Sequence, residues 1–515
     1  MLRSLAGPLL LCPLFWLGCG DDAGGGGGSG GRDAAPTDGS VTGDAGDFTT
    51  PNGFDHTGCE MGWDQLALDG TIWSIDHNLQ VVGQFAGIVR FDLKTGSLAA
   101  TYNGGPTAST VQTARDLFWY RAAQGRLTPR SFLACTRPAP GVIDGKMEGC
   151  NRMGDCAVGT FHAVKLERRA GEGEKSSNVT FLGEYGGNGT WPTITANVRV
   201  DLTRQLAVLA RYDDGLRILR LTPGTPYTIA EISHVDTEDA GSSSVFEIYN
   251  DVKLIDRNGR NYALMASSTH GIVVFDITDP TQPMRKSHIR DGDNVHTHFI
   301  VGTTVYMADL AIGGIVIADI SNPEQPVELG QYVLPNGTGA VFVHDLFVEP
   351  GRAYLDYWGA GLVVVDVTNP AMPQLLGQFT YPRMTNHSNW VTTIHGRKIA
   401  LTGDEDFTAH GRELDVTDPA NIRLVGEWGQ DRPQVSIHNI LCDGDKAYVA
   451  HYMDGLRILQ LSDTAAPTQI GYYNTWSPSP NTGFSFFEGA IGIDKIGNIA
   501  YLAEEERGLI ILQVP

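Results

Sequence analysis

Four histidines and one glutamate recur at one position of a strand-like pattern, and such side chains can hold metal ions. They stand in "VHTHFIV", "FVHDLFV", "NHSNWV", "SIHNIL" and "FFEGAIG", and a second apolar strand follows each stretch. Alignment on the centre of that second strand selects the candidate axial residues His298, His344, His387, His438 and Glu488. Neutral imidazole suits iron, copper, zinc or nickel, so a transition metal is the possible cofactor.

Two other roles stay open for these residues. A histidine beside Asp345 or Asn439 could bond a turn of the neighbouring unit and serve packing alone. The same residues could also form a polar funnel for a ligand. Outside the glycine-rich N-terminal segment, the chain has no metalloprotease, phosphate-loop or nucleophile-elbow motif. We therefore favour a binding or scaffold module without evident catalysis, and a metal-dependent oxidoreductase is the alternative. The sequence leaves open whether the protein is an enzyme.

The strands that carry these residues belong to an internal repeat. The stretches "YDDGLRILRL" at 212–221 and "YMDGLRILQL" at 452–461 agree at eight of ten positions. Strand-like runs with steps of 56, 43, 47, 50, 44 and 53 residues begin at Gly215, Gly271, Gly314, Gly361, Gly411, Gly455 and Gly508. Each period reads as four short strands with turns such as "DITDP", which is typical of a β-propeller blade.

The repeats resemble a known family. The runs "GIVVFDITDPTQP", "GIVIADISNPEQP" and "GLVVVDVTNPAMP" are similar to the LVIVD repeat, which covers the chain well from Leu206 onward and weakly from Trp63 to Tyr185. The resemblance implies an extracytoplasmic bacterial or archaeal protein that forms a β-propeller. It implies almost nothing about activity, because propellers host many unrelated functions.

The predicted fold is all-β, a propeller of four-stranded blades over residues 56–515. Two degenerate copies at Gly87 and Gly159 raise the number of glycine-led strands to nine. The last unit ends after "GLIILQVP" without a fourth strand, so we expect the segment before Gly87 to supply it and close the ring. Eight blades are then predicted, with seven or nine as the alternatives.

The N-terminal residues predict export and anchoring. Arg3 and the apolar run from Leu5 to Leu17 form a signal peptide over residues 1–19. The stretch "WLGCG" resembles the lipobox of bacterial lipoproteins, in which the cysteine, here Cys19, is lipidated; an ordinary cleaved signal peptide is the alternative. Residues 20–55 are glycine-rich and predict a disordered tether. We expect a cell-envelope protein that meets the membrane only through a lipid anchor and binds an unknown protein or small-molecule ligand.

The charge limits the possible partners, and the cysteines agree with a location outside the cytoplasm. A formal charge of −22 argues against nucleic acid as a partner, because nucleic-acid binding needs a basic surface. Cys135, Cys150 and Cys156 share one loop-like segment, so at least one disulfide among them is predicted, with Cys59 as a possible partner for the third. Cys442 lies on a strand and is expected to be a buried free thiol.

The anchor gives the first testable prediction. Replacing Cys19 by alanine should move the protein from the membrane fraction to the soluble fraction, because no other stretch of the sequence is long and apolar enough to cross a bilayer. Fractionation of cells and sequencing of the mature N-terminus measure this. Retention of the variant in membranes, or a mature N-terminus beyond residue 19, would contradict the prediction.

Overall fold

The computed structural model describes residues 47–515 with the exception of 80–82, 95, 104, 124–127, 152–154, 168–175, 187–193, 213, 239–246, 336–340, 408–409, 430–431, 477–487 and 506. The predicted signal peptide, Cys19 and most of the predicted tether lie outside the described residues. The described helices are short 3-10 turns at Pro51–Gly53, Trp63–Gln65 and Pro419–Asn421. None of the described helices has the length and apolar character needed to cross a membrane.

The first part of the described chain forms a nine-stranded antiparallel sheet, which we call the rolled sheet. Its strands are β1 (Thr71–Leu79), β2 (Gly83–Lys94), β3 (Ser97–Tyr102), β4 (Gly105–Pro106), β5 (Ser109–Gln112), β6 (Leu117–Arg121), β7 (Arg130–Thr136), β8 (Val142–Cys150) and β9 (Cys156–Lys165). Their spatial order is β4-β3-β2-β1-β9-β8-β7-β6-β5. The two edges meet, because the Thr107 N–H donates to Ala100 and the Ala108 N–H donates to Tyr120.

The remaining strands build a ring of seven blades. Two short strands come first, β10 (Ser176–Ser177) and β11 (Thr180–Tyr185). Blade 1 consists of β12 (Thr195–Asp201), β13 (Leu206–Arg211), β14 (Gly215–Thr222) and β15 (Thr228–Val235). Blade 2 consists of β16 (Tyr249–Arg257), β17 (Arg260–Ser267), β18 (Gly271–Asp276) and β19 (Met284–Ile289). Blade 3 consists of β20 (Val295–Val301), β21 (Thr304–Asp309), β22 (Gly314–Asp319) and β23 (Val327–Tyr332).

Blades 4 to 7 continue the same order from the axis outward. Blade 4 consists of β24 (Phe342–Glu349), β25 (Arg352–Trp358), β26 (Gly361–Asp366) and β27 (Gln374–Phe379), and blade 5 of β28 (Asn386–Ile394), β29 (Arg397–Asp404), β30 (Gly411–Asp415) and β31 (Arg423–Trp428). Blade 6 consists of β32 (Ile440–Asp443), β33 (Lys446–Ala450), β34 (Leu456–Gln460) and β35 (Thr468–Tyr473). Blade 7 contains β36 (Ala490–Ile496), β37 (Ile499–Glu504) and β38 (Gly508–Gln513). The short strand β10 pairs with the outer edge of β35.

The burial of the strands explains why the sequence reads as apolar runs. Strand β18, with the sequence GIVVFD, is buried at every position, because both of its faces meet a neighbouring blade. The outer strand β19 of the same blade is exposed or half-buried at five of its six positions. A blade therefore buries its faces only when its neighbours are in place, as expected for a repeat fold.

Neighbouring blades also lock through the proline turn that follows the third strand. In blades 1 and 2, the hydroxyls of Ser233 and Ser287 donate to the carbonyls of Pro280 and Pro323 in the next blade, both at 2.6 Å. In blade 4 the equivalent residue is Gly377, where a Cβ atom would lie only 1.6 Å from the carbonyl oxygen of Pro419. The turn can therefore dock only on a small residue.

The ring is closed by a strand from the N-terminal side of the propeller. Strand β11 pairs with β38 and becomes the fourth strand of blade 7. Closure by a strand from the N-terminal side agrees with the prediction. The prediction of the segment before Gly87 was wrong, because the closing strand is β11. The sequence of β11, TFLGEY, has the pattern of the other outer strands, such as VELGQY in β23 and QLLGQF in β27.

The prediction of eight blades is corrected to seven. The degenerate copies at Gly87 and Gly159 are not blade strands, because they lie on β2 and β9 of the rolled sheet, where Gly87 pairs with Ile75 and Gly159 pairs with Met147. The blades therefore begin with β10 and β11 rather than at residue 56, and the rolled sheet precedes them as a separate body.

The cysteines behave as predicted. Disulfides join Cys59 to Cys135 and Cys150 to Cys156. Cys442 is a buried free thiol, and burial raises its pKa far above the usual range.

The docking of the turn gives a prediction for stability. Replacing Gly377 by alanine should lower the free energy of unfolding by about 1–3 kcal/mol, because the new methyl group overlaps the Pro419 carbonyl. Gly186, whose Cβ would meet no atom within 4 Å, provides the matched control, and Gly186→Ala should leave stability unchanged or slightly raised. Urea unfolding measures both variants, and equal stabilities would contradict the docking account.

Candidate functional site

A one-residue bulge near the start of the innermost strand turns one side chain per blade toward the axis. The register shifts there in β12, β16, β20, β24, β28 and β36. In blade 6 the equivalent residue precedes β32, where the His438 N–H donates to Ala450 and the Ala450 N–H donates to Asn439. The seven residues of this axial ring are Ala196, Asn250, His296, His344, His387, His438 and Ile491, and they line the channel.

Four consecutive members of the axial ring are histidines in contact. The ring centroids lie 4.1 Å apart between His296 and His344, 4.1 Å between His344 and His387, and 4.2 Å between His387 and His438. His344 and His387 are fully buried. We call these four residues the histidine row, and it contains three of the five predicted axial residues.

The other two predicted axial residues lie elsewhere. His298 follows the bulge of β20 by two residues and is buried beside Asp251 of blade 2, with its Nδ1 3.3 Å from an Asp251 carboxylate oxygen. Its place in the axial ring is taken by His296. Glu488 is buried and accepts a hydrogen bond from the Trp476 indole at 3.1 Å, and the axial residue of blade 7 is Ile491.

The bulge explains both errors, and the sequence contains a signal that would have avoided them. His296, His344, His438 and Ile491 each stand ten residues before a tyrosine of the second strand, namely Tyr306, Tyr354, Tyr448 and Tyr501. In these blades the ten-residue spacing selects His296 and Ile491 over His298 and Glu488. The spacing differs in other blades, because Asn250 stands twelve residues before Tyr262 and His387 twelve before Ile399.

A carboxylate that the sequence did not indicate completes the site. Glu405, which follows β29, is buried, and its carboxylate lies 3.7 Å from Nε2 of His387 and 3.8 Å from Nε2 of His438. The hydroxyl of Tyr452 donates a hydrogen bond to this carboxylate. One donor atom from each of His344, His387 and Glu405 lies within 4.8 Å of the others. Two histidines and one carboxylate form a ligand set known from iron(II) sites.

The histidines of the row are neutral at physiological pH. Burial lowers the pKa of His296 to about 4 and that of His438 to about 3. Burial, together with the proximity of the other histidines, also holds the pKa of His344 and of His387 well below the usual range. Each neutral imidazole has one nitrogen lone pair with which it can bind a metal ion.

His387 has the least satisfied side chain of the row. Neither of its ring nitrogens makes a hydrogen bond of normal geometry to a described residue, although the ring has a weaker interaction with the backbone of His438. Buried polar atoms of folded proteins nearly always have a partner, and a bare one costs about 1–3 kcal/mol. A water molecule or an ion in the channel would remove this cost.

A polar layer lies directly beyond the histidine row and holds the innermost strands together. The side-chain amide of Asn197 donates to Asp251 at 2.7 Å, and the Thr297 hydroxyl lies 3.0 Å from Asp251 and 3.3 Å from Asp345. Lys253 forms an ion pair with Asp251. Because these groups pair with one another across blades 1 to 4, they fix the strands on which the axial histidines stand.

The rolled sheet packs on part of the propeller near the axial residues. Arg383 of the propeller bonds Asp76 of the rolled sheet at 2.9 Å and Asp406 at 2.6 Å. Ile72 and Ile88 of the rolled sheet share a core with Trp476 and Ile491. The cavity beside the histidine row is lined mainly from blades 1 to 4, with apolar side chains from Tyr212, Ile248, Leu310 and Phe342.

Comparisons with known proteins agree with this architecture. The family model of the LVIVD repeat matches residues 259–291, 300–333, 343–380 and 437–475. The molecule is thus a seven-bladed β-propeller, and the chain contains LVIVD repeats, as the sequence indicated. No curated protein matches the chain.

Solved structures similar to the chain have low sequence identity, and they include two propeller domains. The β-propeller domain of Myceliophteria thermophila Cps50 (Swd1) has 14% identity and a TM-score of 0.44 over 65% of this chain and 100% of that chain. The WD40 β-propeller domain of Doa1 has 8% identity and a TM-score of 0.44 over 65% and 96%. The computationally designed Ika8 protein has 8% identity and a TM-score of 0.42 over 65% and 98%.

The lowered histidine pKa values predict how stability depends on pH. Between about pH 4 and 6.5 the unfolded chain binds a proton at His296 that the folded protein does not bind, so stability must rise with pH in this window. A shift from 6.5 to about 4 corresponds to a contribution on the order of 3 kcal/mol.

The variant His296→Asn isolates this contribution, because Asn250 occupies the equivalent position of blade 2. In metal-free protein the variant should show a shallower rise in the free energy of unfolding between pH 4 and 6.5 than the wild type. Urea unfolding at a series of pH values measures the slopes. Identical slopes would show that His296 is not held neutral by burial.

Proposed function

We propose that this protein is a binding module whose channel holds a divalent transition-metal ion, with His344, His387 and Glu405 as ligands. The observation that carries the proposal is the convergence of three metal-binding side chains from two blades on one buried place. Their donor atoms lie within 4.8 Å of one another. Rotations of the side chains could bring each donor to the 2.0–2.2 Å that zinc and similar ions require.

The surroundings of the three ligands support a metal ion over simple packing. His387 and the buried His298 both lack hydrogen bonds of normal geometry at their ring nitrogens among the described residues, but of these two only His387 has a second imidazole and a carboxylate with donor atoms within 4.8 Å. Tyr452 bonds the Glu405 carboxylate from the other side and so orients it, as outer partners of metal ligands commonly do. His438, 3.8 Å from Glu405, is a further donor within reach.

A metal-dependent oxidoreductase is the second candidate function. Two histidines and one carboxylate leave open positions on an iron(II) ion, at which reactants can bind. The observation that favours this candidate is the cavity next to the ligands, with Ile248, Leu310 and Phe342 in its wall. A small organic substrate of mainly apolar character would fit such a lining.

We also propose that the propeller is displayed outside the cytoplasm on a lipid anchor at Cys19. The two disulfides support this location, because disulfides persist mainly in oxidising compartments. The apolar run that ends before Cys19 and the glycine-rich residues 20–55 support the anchor and its tether. The fractionation of Cys19→Ala tests this part of the proposal.

The metal proposal is tested by His387→Ala. This variant should lose one metal ion per chain, with an affinity reduced more than about 100-fold, because even outer partners of a metal ligand are worth 10–100-fold. Elemental analysis after equilibration with Zn²⁺ or Fe²⁺ gives the occupancy, and competition with a chelator gives the affinity.

His298→Ala is the matched control, because His298 is a buried histidine of an innermost strand, β20, that faces Asp251 rather than Glu405. This variant should unfold more readily and keep its metal. A wild-type protein that retains no stoichiometric metal, or a His387→Ala protein that binds metal as tightly as the wild type, would refute the proposed function.

A further inference from the structure

A second group of metal-binding side chains lies near the surface, at the boundary of blades 1 and 2. Glu238 follows β15 of blade 1, His270 stands in the turn between β17 and β18, and His288 lies on β19 of blade 2. One donor atom from each of the three residues lies within 4.8 Å of the others. None of the three belongs to the channel, so the group is separate from the histidine row.

The contacts within the group arrange both histidines around the carboxylate. Nε2 of His288 lies 2.6 Å from an oxygen of Glu238. The rings of His270 and His288 face each other with centroids 5.4 Å apart. Both histidines are half-buried and Glu238 is an exposed residue, with 23–28% of the three side-chain surfaces exposed, so an ion from solvent could reach them.

Asp291 gives His270 the orientation that a metal ligand needs. Nδ1 of His270 lies 2.7 Å from an oxygen of Asp291. A bond to a carboxylate at Nδ1 fixes the tautomer with the proton on Nδ1, so Nε2 carries the lone pair. Most metal-binding histidines have such a carboxylate or carbonyl partner on the nitrogen opposite the metal.

We propose that Glu238, His270 and His288 bind a Zn²⁺ ion, with Asp291 as the residue that positions His270. Two imidazoles and one carboxylate are zinc ligands, and the fourth position of the tetrahedron would be taken by water. The guanidinium of Arg285, with Nε 3.5 Å from Glu238, is the cation that now faces this carboxylate. The ion would join the end of blade 1 to the turn and outer strand of blade 2.

The test uses the full-length chain in a His387→Ala background, which removes the proposed channel ion. Titration with Zn²⁺, followed by chelator competition, should then give one ion per chain. The additional change His270→Ala should abolish this binding. The additional change His234→Ala should preserve it, because His234 also lies beside a glutamate, Glu231 at 3.1 Å, but belongs to no cluster of three donors within the described part of the chain.

Asp291 supplies a second readout that does not depend on removing a ligand. Asp291→Ala should keep one Zn²⁺ per chain in the same background and weaken its affinity about 10–100-fold. The surface site is refuted if the His387→Ala protein binds no Zn²⁺, or if His270→Ala does not reduce binding. The channel site is judged separately, by the difference in stoichiometry between the wild type and His387→Ala.

Discussion

Near the start of the innermost strand of each blade, one residue does not pair with the second strand. The side chain of this bulge residue faces the channel, so the contents of the channel depend on the bulge. A strand without it would alternate its side chains between the two faces of the blade, both of which are packed against neighbours. With the bulge, one side chain per blade has access to the channel. Because four of the seven are histidines on consecutive blades, their rings come into contact along one arc.

The charge state and the position of the histidine row depend more on the surrounding residues than on the histidines themselves. Burial keeps the imidazoles neutral, and the paired groups Asn197, Asp251 and Thr297 hold the strands behind them. The carboxylate comes from a different part of a blade, the segment after β29, and Tyr452 bonds it. The rolled sheet adds a partial cover through Asp76 and Arg383. The proposed cation site thus arises in a chain whose repeats were shaped by packing.

The repeat is visible in the sequence because packing imposes the same requirements on each blade. The third strand must be apolar because it is buried, and the proline turn that follows it needs a small residue on the preceding blade. Three of the five axial candidates followed from that repeat. His298 was chosen over His296 because a bulge shifts the register by one residue and leaves little trace in side-chain polarity. Glu405 could not be foreseen, because its approach to His387 depends on the path of the chain after β29 and not on the repeat pattern. The rolled sheet resembles blades in the sequence because Gly87 and Gly159 each precede an apolar run, although both glycines lie inside the longer strands β2 and β9.

Anomalous X-ray diffraction from crystals of the metal-loaded protein tests whether His344, His387 and Glu405 hold a metal ion in the channel. We expect an anomalous peak at about 2.0–2.2 Å from a nitrogen of His344, a nitrogen of His387 and an oxygen of Glu405. A channel without a peak, in which ordered water molecules bond the nitrogens of His387, would contradict it.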